Sequence, residues 1–378
     1  MKLSGQILAK INPEIVKQLC EIAPLVAKKD SSLWPLEQET INRLGWIDLP
    51  TKSRALLPEL DALSAWTRSN GLTEIVLCGM GGSSLAPEVI ASTYKKSLTI
   101  LDSTDPVQVN NSVPSDLNKS VIVISSKSGT TIETLSQYEF YVGKFKQANL
   151  NPTEHIVIVT DPGTPLDVIA RNEGYKVVNA DPNVGGRFSA LSAFGLVPAA
   201  LIGVDISLLL DDAEKLSPSL SSMDSPAIKI AASLFSLSDQ VINFCDKNST
   251  TPGLSNWIEQ LIAESTGKNS NGRLPVVIEE STESFSGITV GFTPGSYDLT
   301  IEATLGEQFL LWEWVTALLC FLLKVNPFNQ PNVAEAKDRT STILSSLTNN
   351  GVNTPTPTYE DSDYLIFSSQ KISNLSEF

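Results

Sequence analysis

Residues 74–94, EIVLCGMGGSSLAPEVIASTY, read as a short apolar strand, a glycine turn and the opening of a helix. Glu74–Cys78 is apolar and β-branched, Gly79-Met80-Gly81-Gly82-Ser83-Ser84 follows at once, and Leu85–Tyr94 resumes at helical spacing. The same succession recurs downstream. Leu98–Leu101 (LTIL), Ser120–Ile124 (SVIVI) and His155–Val159 (HIVIV) are strand-like, while Ile132–Gln147 and Leu166–Asn172 are helix-like. Short apolar strands alternating with helices predict a parallel sheet covered on both faces.

A second round follows the first. Ala227–Leu237 reads as helix, Gln240–Phe244 as strand, Leu254–Thr266 as helix, Leu274–Ile278 as strand and Gly306–Val325 as a long buried helix. Asn, Pro and Gln in Asn326–Asn332 stop that helix, and Val333–Leu347 forms the last one. Prolines and serines in Leu216–Pro226 mark a linker between the rounds. The first fifty residues read as helix, opened by Asn12-Pro13 with Ile15, Leu19 and Ile22 at helical spacing. The expected architecture is α/β: a helical segment 1–50, αβα domains 51–215 and 226–348, each built on a mostly parallel sheet, and a turn-rich tail 349–378.

Composition bounds the partners. With 42% hydrophobic and 18% charged residues, the 378-residue chain has enough apolar content for a sizeable core. Its 27 Lys+Arg against 42 Asp+Glu give a net charge of −15, which speaks against nucleic-acid and anionic-membrane surfaces. A single histidine, His155, excludes most zinc chemistry. Cys20, Cys78, Cys245 and Cys320 lie far apart without a C-x-x-C pair, so a reducing compartment is expected. The N-terminus lacks the features of a secretion signal, and the apolar runs Ala190–Val204 and Phe309–Val325 are too short or too broken to span a bilayer. A soluble, cytoplasmic protein is expected.

Four loops carry chemistry. Glycines in Gly79–Ser84 let backbone approach a ligand, and the following helix start offers free N–H groups to an anion. Asp102 sits about 20 residues on, where a dinucleotide fold places its ribose-binding acid, but G-x-G-x-x-G fails because position 84 is serine. A ligand-free glycine turn stays an alternative. Ser125–Thr131 (SSKSGTT) offers hydroxyls, the Lys127 ammonium and a glycine to phosphate oxygens. It is not a Walker A loop, which disfavours nucleoside triphosphates and leaves a plain serine-rich loop as the alternative. Two such loops at nearby strand ends point to a phosphorylated small molecule. Arg187, preceded by Gly185-Gly186, is placed to reach an oxyanion or is a surface arginine in a turn. Glu264 in Gln260–Lys268 stands at the end of an apolar helix before a polar turn, where simple pairing with Lys268 is the alternative to a chemical role.

Together these loops resemble those of the phosphoglucose isomerase family, built from two sugar-isomerase (SIS) α/β domains. The resemblance runs from about residue 29 to residue 346. Gly79–Pro87, Ser126–Thr134, Val184–Ser189, Gln260–Lys268 and Asn326–Lys337 stand in the family's order. The chain is most similar to the isomerase half of bacterial transaldolase–phosphoglucose isomerase fusions, in Lys29–Trp34, Asp181–Gly186 and Gly306–Glu313. The resemblance implies glucose 6-phosphate/fructose 6-phosphate isomerisation, with a role in glycolysis and gluconeogenesis. By it, Ser126, Ser128, Thr130 and Thr131 hold the 6-phosphate with Lys127 nearby, and Gly82 and Ser83 contact the sugar chain. Glu264 is the base of a cis-enediol mechanism, Arg187 stabilises the enediolate, and Gln260, Gln330 and Lys337 complete the site.

Proton abstraction next to a carbonyl needs a carboxylate near carbon and a cation at the developing oxyanion. With arginine in that place neither a metal nor a redox cofactor is called for. A homodimer with a small sugar phosphate as partner is implied by resemblance alone. Two departures from the family stand out. Asn332 and Ala334 replace its usual Gly and Glu, and Lys268–Lys337 holds none of its ring-opening histidine. Ring opening would then fall to Lys337, to water or to solution chemistry. Two other functions stay open: an isomerase of another sugar phosphate, such as mannose 6-phosphate, and a catalytically weak sugar-phosphate-binding module.

Overall fold

Runs of Val and Ile with no polar alternation set up the first sheet. Strands β2 (Glu74–Gly79), β3 (Thr99–Leu101), β4 (Ser120–Ser125), β5 (Ile156–Thr160) and β6 (Lys176–Asn179) are all parallel, in the order β3-β2-β4-β5-β6. Every residue of β4 and β5 is buried, as a strand covered on both faces requires. The computed structural model describes residues 1–35, 37, 41–237, 239–280, 286–350, 355–371, 374 and 376, and leaves out the side chains of 332, 334, 337 and 346–350.

The second sheet repeats the pattern. Strands β7 (Val241–Cys245), β8 (Leu274–Val277), β9 (Ile288–Gly291) and β10 (Leu299–Glu302) are parallel, and β1 (Lys2–Ser4) adds antiparallel to β10. The order is β1-β10-β9-β7-β8. Both sheets belong to one compact unit, Met1–Asn329. Its core helix Leu305–Leu323 is mostly apolar with no polar face, and almost wholly buried, packed against the helices Ile206–Leu220 and Pro226–Phe235. Although it is long and apolar enough to cross a membrane, 94% of its apolar window is buried inside the fold.

The second unit is Gln330–Phe378. It holds the helix Pro331–Asn350, opened by proline, and a short hairpin of β11 (Tyr359–Glu360) and β12 (Leu365–Ile366). The division after Asn329 falls inside the segment expected as the second domain, 226–348.

Several elements differ from the sequence reading. Lys2–Ser4 is strand, not helix, because the open edge of β10 takes it up. Ile206–Leu220 continues as helix through Pro218, so the linker shrinks to Ser221–Ser225. Strands β6, β9 and β10 went unread: each has only four residues, and Phe292–Asp298 joins β9 to β10 without a helix to betray the crossover.

Candidate active site

From β2 the chain turns outward to β3 and then crosses back to β4 on the other side. At such a switch point the carboxyl ends of neighbouring strands diverge and leave a crevice for ligands. The two glycine- and hydroxyl-rich loops follow these two strands, and Gly79 is in register with Ser125. Their helices begin differently from several others in the chain. Side chains of Asp105, Thr164, Ser192 and Asp205 cap the helices they precede. Neither Ser84, before Leu85–Thr93, nor Thr131, before Ile132–Gln147, makes a side-chain cap. Two helix starts with uncapped N–H groups thus face one crevice, which suits an anion.

Hydroxyls line the second loop. Ser126 Oγ donates to Thr131 Oγ1 at 3.2 Å, and Thr130 Oγ1 donates to Ser128 Oγ at 2.9 Å. Ser128 and Thr130 are exposed, Thr131 is half-buried and Ser126 is buried. Gly129 makes the turn at φ +63°, and a Cβ there would lie 2.8 Å from Thr164 Oγ1. Lys127 Nζ donates to Asp161 Oδ2 at 2.5 Å, just beyond β5. Burial pulls the lysine below its ordinary pKa and lifts the aspartate above its own, each partly offset by the partner's charge. A cleft lined by Arg43, Asp161, Gly163, Thr164 and Asn183 opens beside this pair.

The first loop faces the other two motifs. A Cβ on Gly82 would lie 2.3 Å from Gly186 O, and one on Gly81 would lie 2.4 Å from Gln260 Nε2. Glycine therefore lets the first loop meet the arginine loop backbone to backbone and seats the Gln260 side chain against Gly81. Beyond the contact stands Arg187, 4% exposed, with every guanidinium nitrogen engaged. Nε donates to Ser265 Oγ at 3.1 Å, Nη1 to Glu264 Oε2 at 2.9 Å, and Nη2 to Pro327 O at 2.7 Å and Asn329 O at 3.4 Å. Burial disfavours the charged guanidinium, and the Glu264 carboxylate offsets that.

Glu264 itself keeps 30% of its side chain exposed and accepts from Gln260 Nε2 through its other oxygen, at 2.9 Å. Both carboxylate oxygens are held while part of the group faces solvent. Lys268, considered above as the partner of Glu264, donates to Asn326 O. Beneath the cluster Phe188 packs on Phe328 at 5.3 Å and on Trp46 at 5.2 Å, and Trp34 packs on Phe328 at 5.4 Å. Such aromatic pairs contribute about 0.5–1.5 kcal/mol each beyond their buried area.

The structure thus brings Gly82, Arg187, Gln260 and Glu264 together and sets Ser126–Thr131 at the adjoining strand end. Gln330 and Lys337 belong to the second unit, and the Lys337 side chain lies outside the described residues. Sequence reasoning missed Asp161, Ser265 and the carbonyls of Pro327 and Asn329. Asp161 ends the run HIVIVTD at a strand's carboxyl end, a signal open to reading. Backbone acceptors leave no such signal. His155 sits at the opposite, amino end of β5, with Nδ1 2.9 Å from Ser120 O and its ring stacked on Phe145.

A family model for phosphoglucose isomerase matches residues 54–272, more than half of the chain. The chain belongs to the phosphoglucose isomerase family. Among relatives of this isomerase-family chain, a probable glucose-6-phosphate isomerase of Haloarcula marismortui is 31% identical over 261 residues, 65% of this chain and 56% of that protein. The glucose-6-phosphate isomerase of Methanocaldococcus jannaschii is 29% identical over 312 residues, covering 77% and 73%. The chain spans 56%, 59% and 52% of the length of three archaeal relatives it matches. Its fold is that of a Chlamydia trachomatis glucose-6-phosphate isomerase, with a TM-score of 0.74 at 17% identity over 88% of this chain and 86% of that one. A hypothetical protein of Thermus thermophilus gives a TM-score of 0.77 at 24% identity, over 91% and 99%.

Proposed function

We propose that this family member interconverts glucose 6-phosphate and fructose 6-phosphate. The observation that carries the reading is the Glu264 carboxylate, held by Arg187 and Gln260 beside a crevice with two uncapped helix starts. The 6-phosphate docks on Ser126, Ser128, Thr130 and Thr131, with the Lys127 charge nearby and Gly82 and Ser83 along the sugar chain. Glu264 removes the proton from C2 of the open-chain aldose and returns it at C1 through a cis-enediol. Arg187 already holds one carboxylate oxygen, so its fixed charge stands next to the oxyanion as it forms, without reorganisation. We infer further that the enzyme is a cytoplasmic homodimer, on family resemblance.

His155 favours a second reading. It is tied to Ser120 O at the amino end of β5, and a strand of this length puts it roughly 16 Å from the carboxyl-end loops. A substrate that arrives in open-chain form needs no ring-opening imidazole, so another sugar phosphate is the alternative. Coupled assay of the purified protein with fructose 6-phosphate tests the proposal. Wild-type turnover well above that of Glu264→Gln is expected. Turnover no higher than that variant's on fructose 6-phosphate refutes the leading reading, and the same result across a panel of sugar phosphates refutes both.

A further inference from the structure

Asn326–Asn329 is a four-residue turn tied down from several sides. Arg187 Nη2 donates to the carbonyls of Pro327 and Asn329, and Asn326 Oδ1 accepts from Phe328 N at 2.9 Å. The side-chain amides of Asn326 and Asn329 both donate to Glu37 Oε2, at 3.3 and 2.6 Å. The first carbonyl of the turn, Asn326 O, is held by Lys268 Nζ. Lys268 follows the helix Leu254–Thr266, which carries Glu264, so one short segment ends in both the carboxylate and the ammonium that grips the turn.

We propose, resting on the isomerase reading, that Lys268 is a positioning residue for the reaction: its ammonium fixes the Asn326–Asn329 turn, and the turn's carbonyls aim Arg187 at Glu264. The fold keeps this charge against its own preference. Burial draws the lysine down to about 8, assisted by the Arg187 charge and opposed by the carboxylates of Glu37 and Glu264, with the Cys320 thiol, itself pushed up to about 12, also facing it. Since the folded value lies below the unfolded one, the ammonium costs stability at neutral pH, and an apolar replacement is compatible with folding. Above about 8 the group becomes a neutral amine whose hydrogen bond to Asn326 O is weaker than the charge-assisted one. Loosened there, the turn no longer fixes the guanidinium.

Two readouts test this on the full chain. The first is the pH profile of kcat with fructose 6-phosphate for wild type, Lys268→Met and Lys268→Arg. Wild type is expected to lose turnover as pH rises through about 8. Lys268→Met is expected to lose about tenfold or more in kcat at pH 7, with little change in KM and no alkaline limb. Lys268→Arg, charged throughout, restores kcat and shows no limb either. The second readout needs no substrate: phenylglyoxal modification of Arg187, followed by peptide mass and normalised to Arg339, which is exposed. Arg187 is expected to lose protection in wild type above about pH 8 and in Lys268→Met at every pH, and to keep it in Lys268→Arg. Equal protection in all three proteins overturns the proposal, even if the wild type isomerises fructose 6-phosphate. If wild type turns over no sugar phosphate, the isomerase reading fails, and the Arg187 protection pattern still decides the role of Lys268 in holding the turn.

Discussion

Gly82→Ala tests whether the site depends on loops meeting without side chains. An alanine Cβ at 82 would lie 2.3 Å from Gly186 O, 2.6 Å from Gly186 C and 3.2 Å from Arg187 N. Those neighbours are backbone, so no rotamer change relieves the overlap, and the loops must part by about 1 Å to restore ordinary contact. Arg187 is the next residue along and is fixed to Glu264 by a 2.9 Å bond. A misplacement of about 1 Å costs on the order of 100-fold in rate, while overpacking of this kind costs about 1–3 kcal/mol of stability. The assay is kcat and KM for fructose 6-phosphate, with urea unfolding alongside. A fall of about 100-fold in kcat/KM, carried mainly by kcat, is expected in a folded protein. Gly143→Ala serves as the control: it lies inside the helix Ile132–Gln147 with nothing within 4 Å of its Cβ and should leave kinetics unchanged. If Gly82→Ala loses stability but keeps kcat within twofold of wild type, the close approach of the loops is not what positions Arg187.

Other outcomes follow from the same geometry. Arg187→Ala should lower kcat by about 10²–10³-fold and raise KM far less, as for removal of an oxyanion donor, and a variant that only binds more weakly refutes the enediolate role. Gly129→Ala places a side chain at φ +63° and 2.8 Å from Thr164 Oγ1, so it should raise KM for sugar phosphate about tenfold or more while kcat stays close to wild type. Glu313 is fully buried with neither carboxylate oxygen hydrogen-bonded, and burial pushes its pKa well up. Its folded value lies above the unfolded one, so stability is whole below about pH 4.5 and falls by up to about 1.4 kcal/mol per pH unit above it. Glu313→Gln should therefore flatten the decline of the urea midpoint between pH 5 and 7, and an unchanged slope would show that the carboxyl is ionised in the fold.

The first sheet was legible because its strands are uninterrupted Val and Ile runs, each followed by a glycine- or hydroxyl-rich turn. Ser120–Ser125 and Ile156–Thr160 lie within a residue of their expected bounds, since nothing else in the chain competes for those apolar stretches. In the second sheet β9 and β10 went unread. Gly291 and Thr300 dilute the apolar signal, and pairing with β7 and β1 supplies what local propensity does not. The site divides along the same line. Glu264, Arg187 and Gln260 were legible as side chains of chemical type at motif positions. The Arg187–Glu264 bond joins residues 77 positions apart, and the turn that anchors Arg187 does so through carbonyls that every residue carries.

Four parallel strands of each sheet share an order, β3-β2-β4-β5 and β8-β7-β9-β10, and their switch points differ in what stands at the helix start. Each has a switch point, between β2 and β4 in the first and between β7 and β9 in the second. At the first, the helices Leu85–Thr93 and Ile132–Gln147 start without side-chain caps. At the second, Asp246 Oδ2 accepts from Ser255 N at 2.8 Å at the start of the helix Leu254–Thr266, and Lys247 is paired with Glu280. A carboxylate already occupies the place a phosphate would take, and the nearby cation is neutralised. That helix contributes through its other end instead, where Glu264 and, just beyond it, Lys268 meet the arginine loop. On the proposed reading, binding and proton transfer fall to opposite ends of equivalent elements. Moving the carboxylate reverses the assignment: Asp246→Ser, which removes the resident anion and leaves a hydroxyl, should let the second helix start bind inorganic phosphate. Titration calorimetry of the Asp246→Ser and wild-type proteins with phosphate measures it. No additional phosphate bound in Asp246→Ser would mean that the acid at 246 is not what sets the two crevices apart.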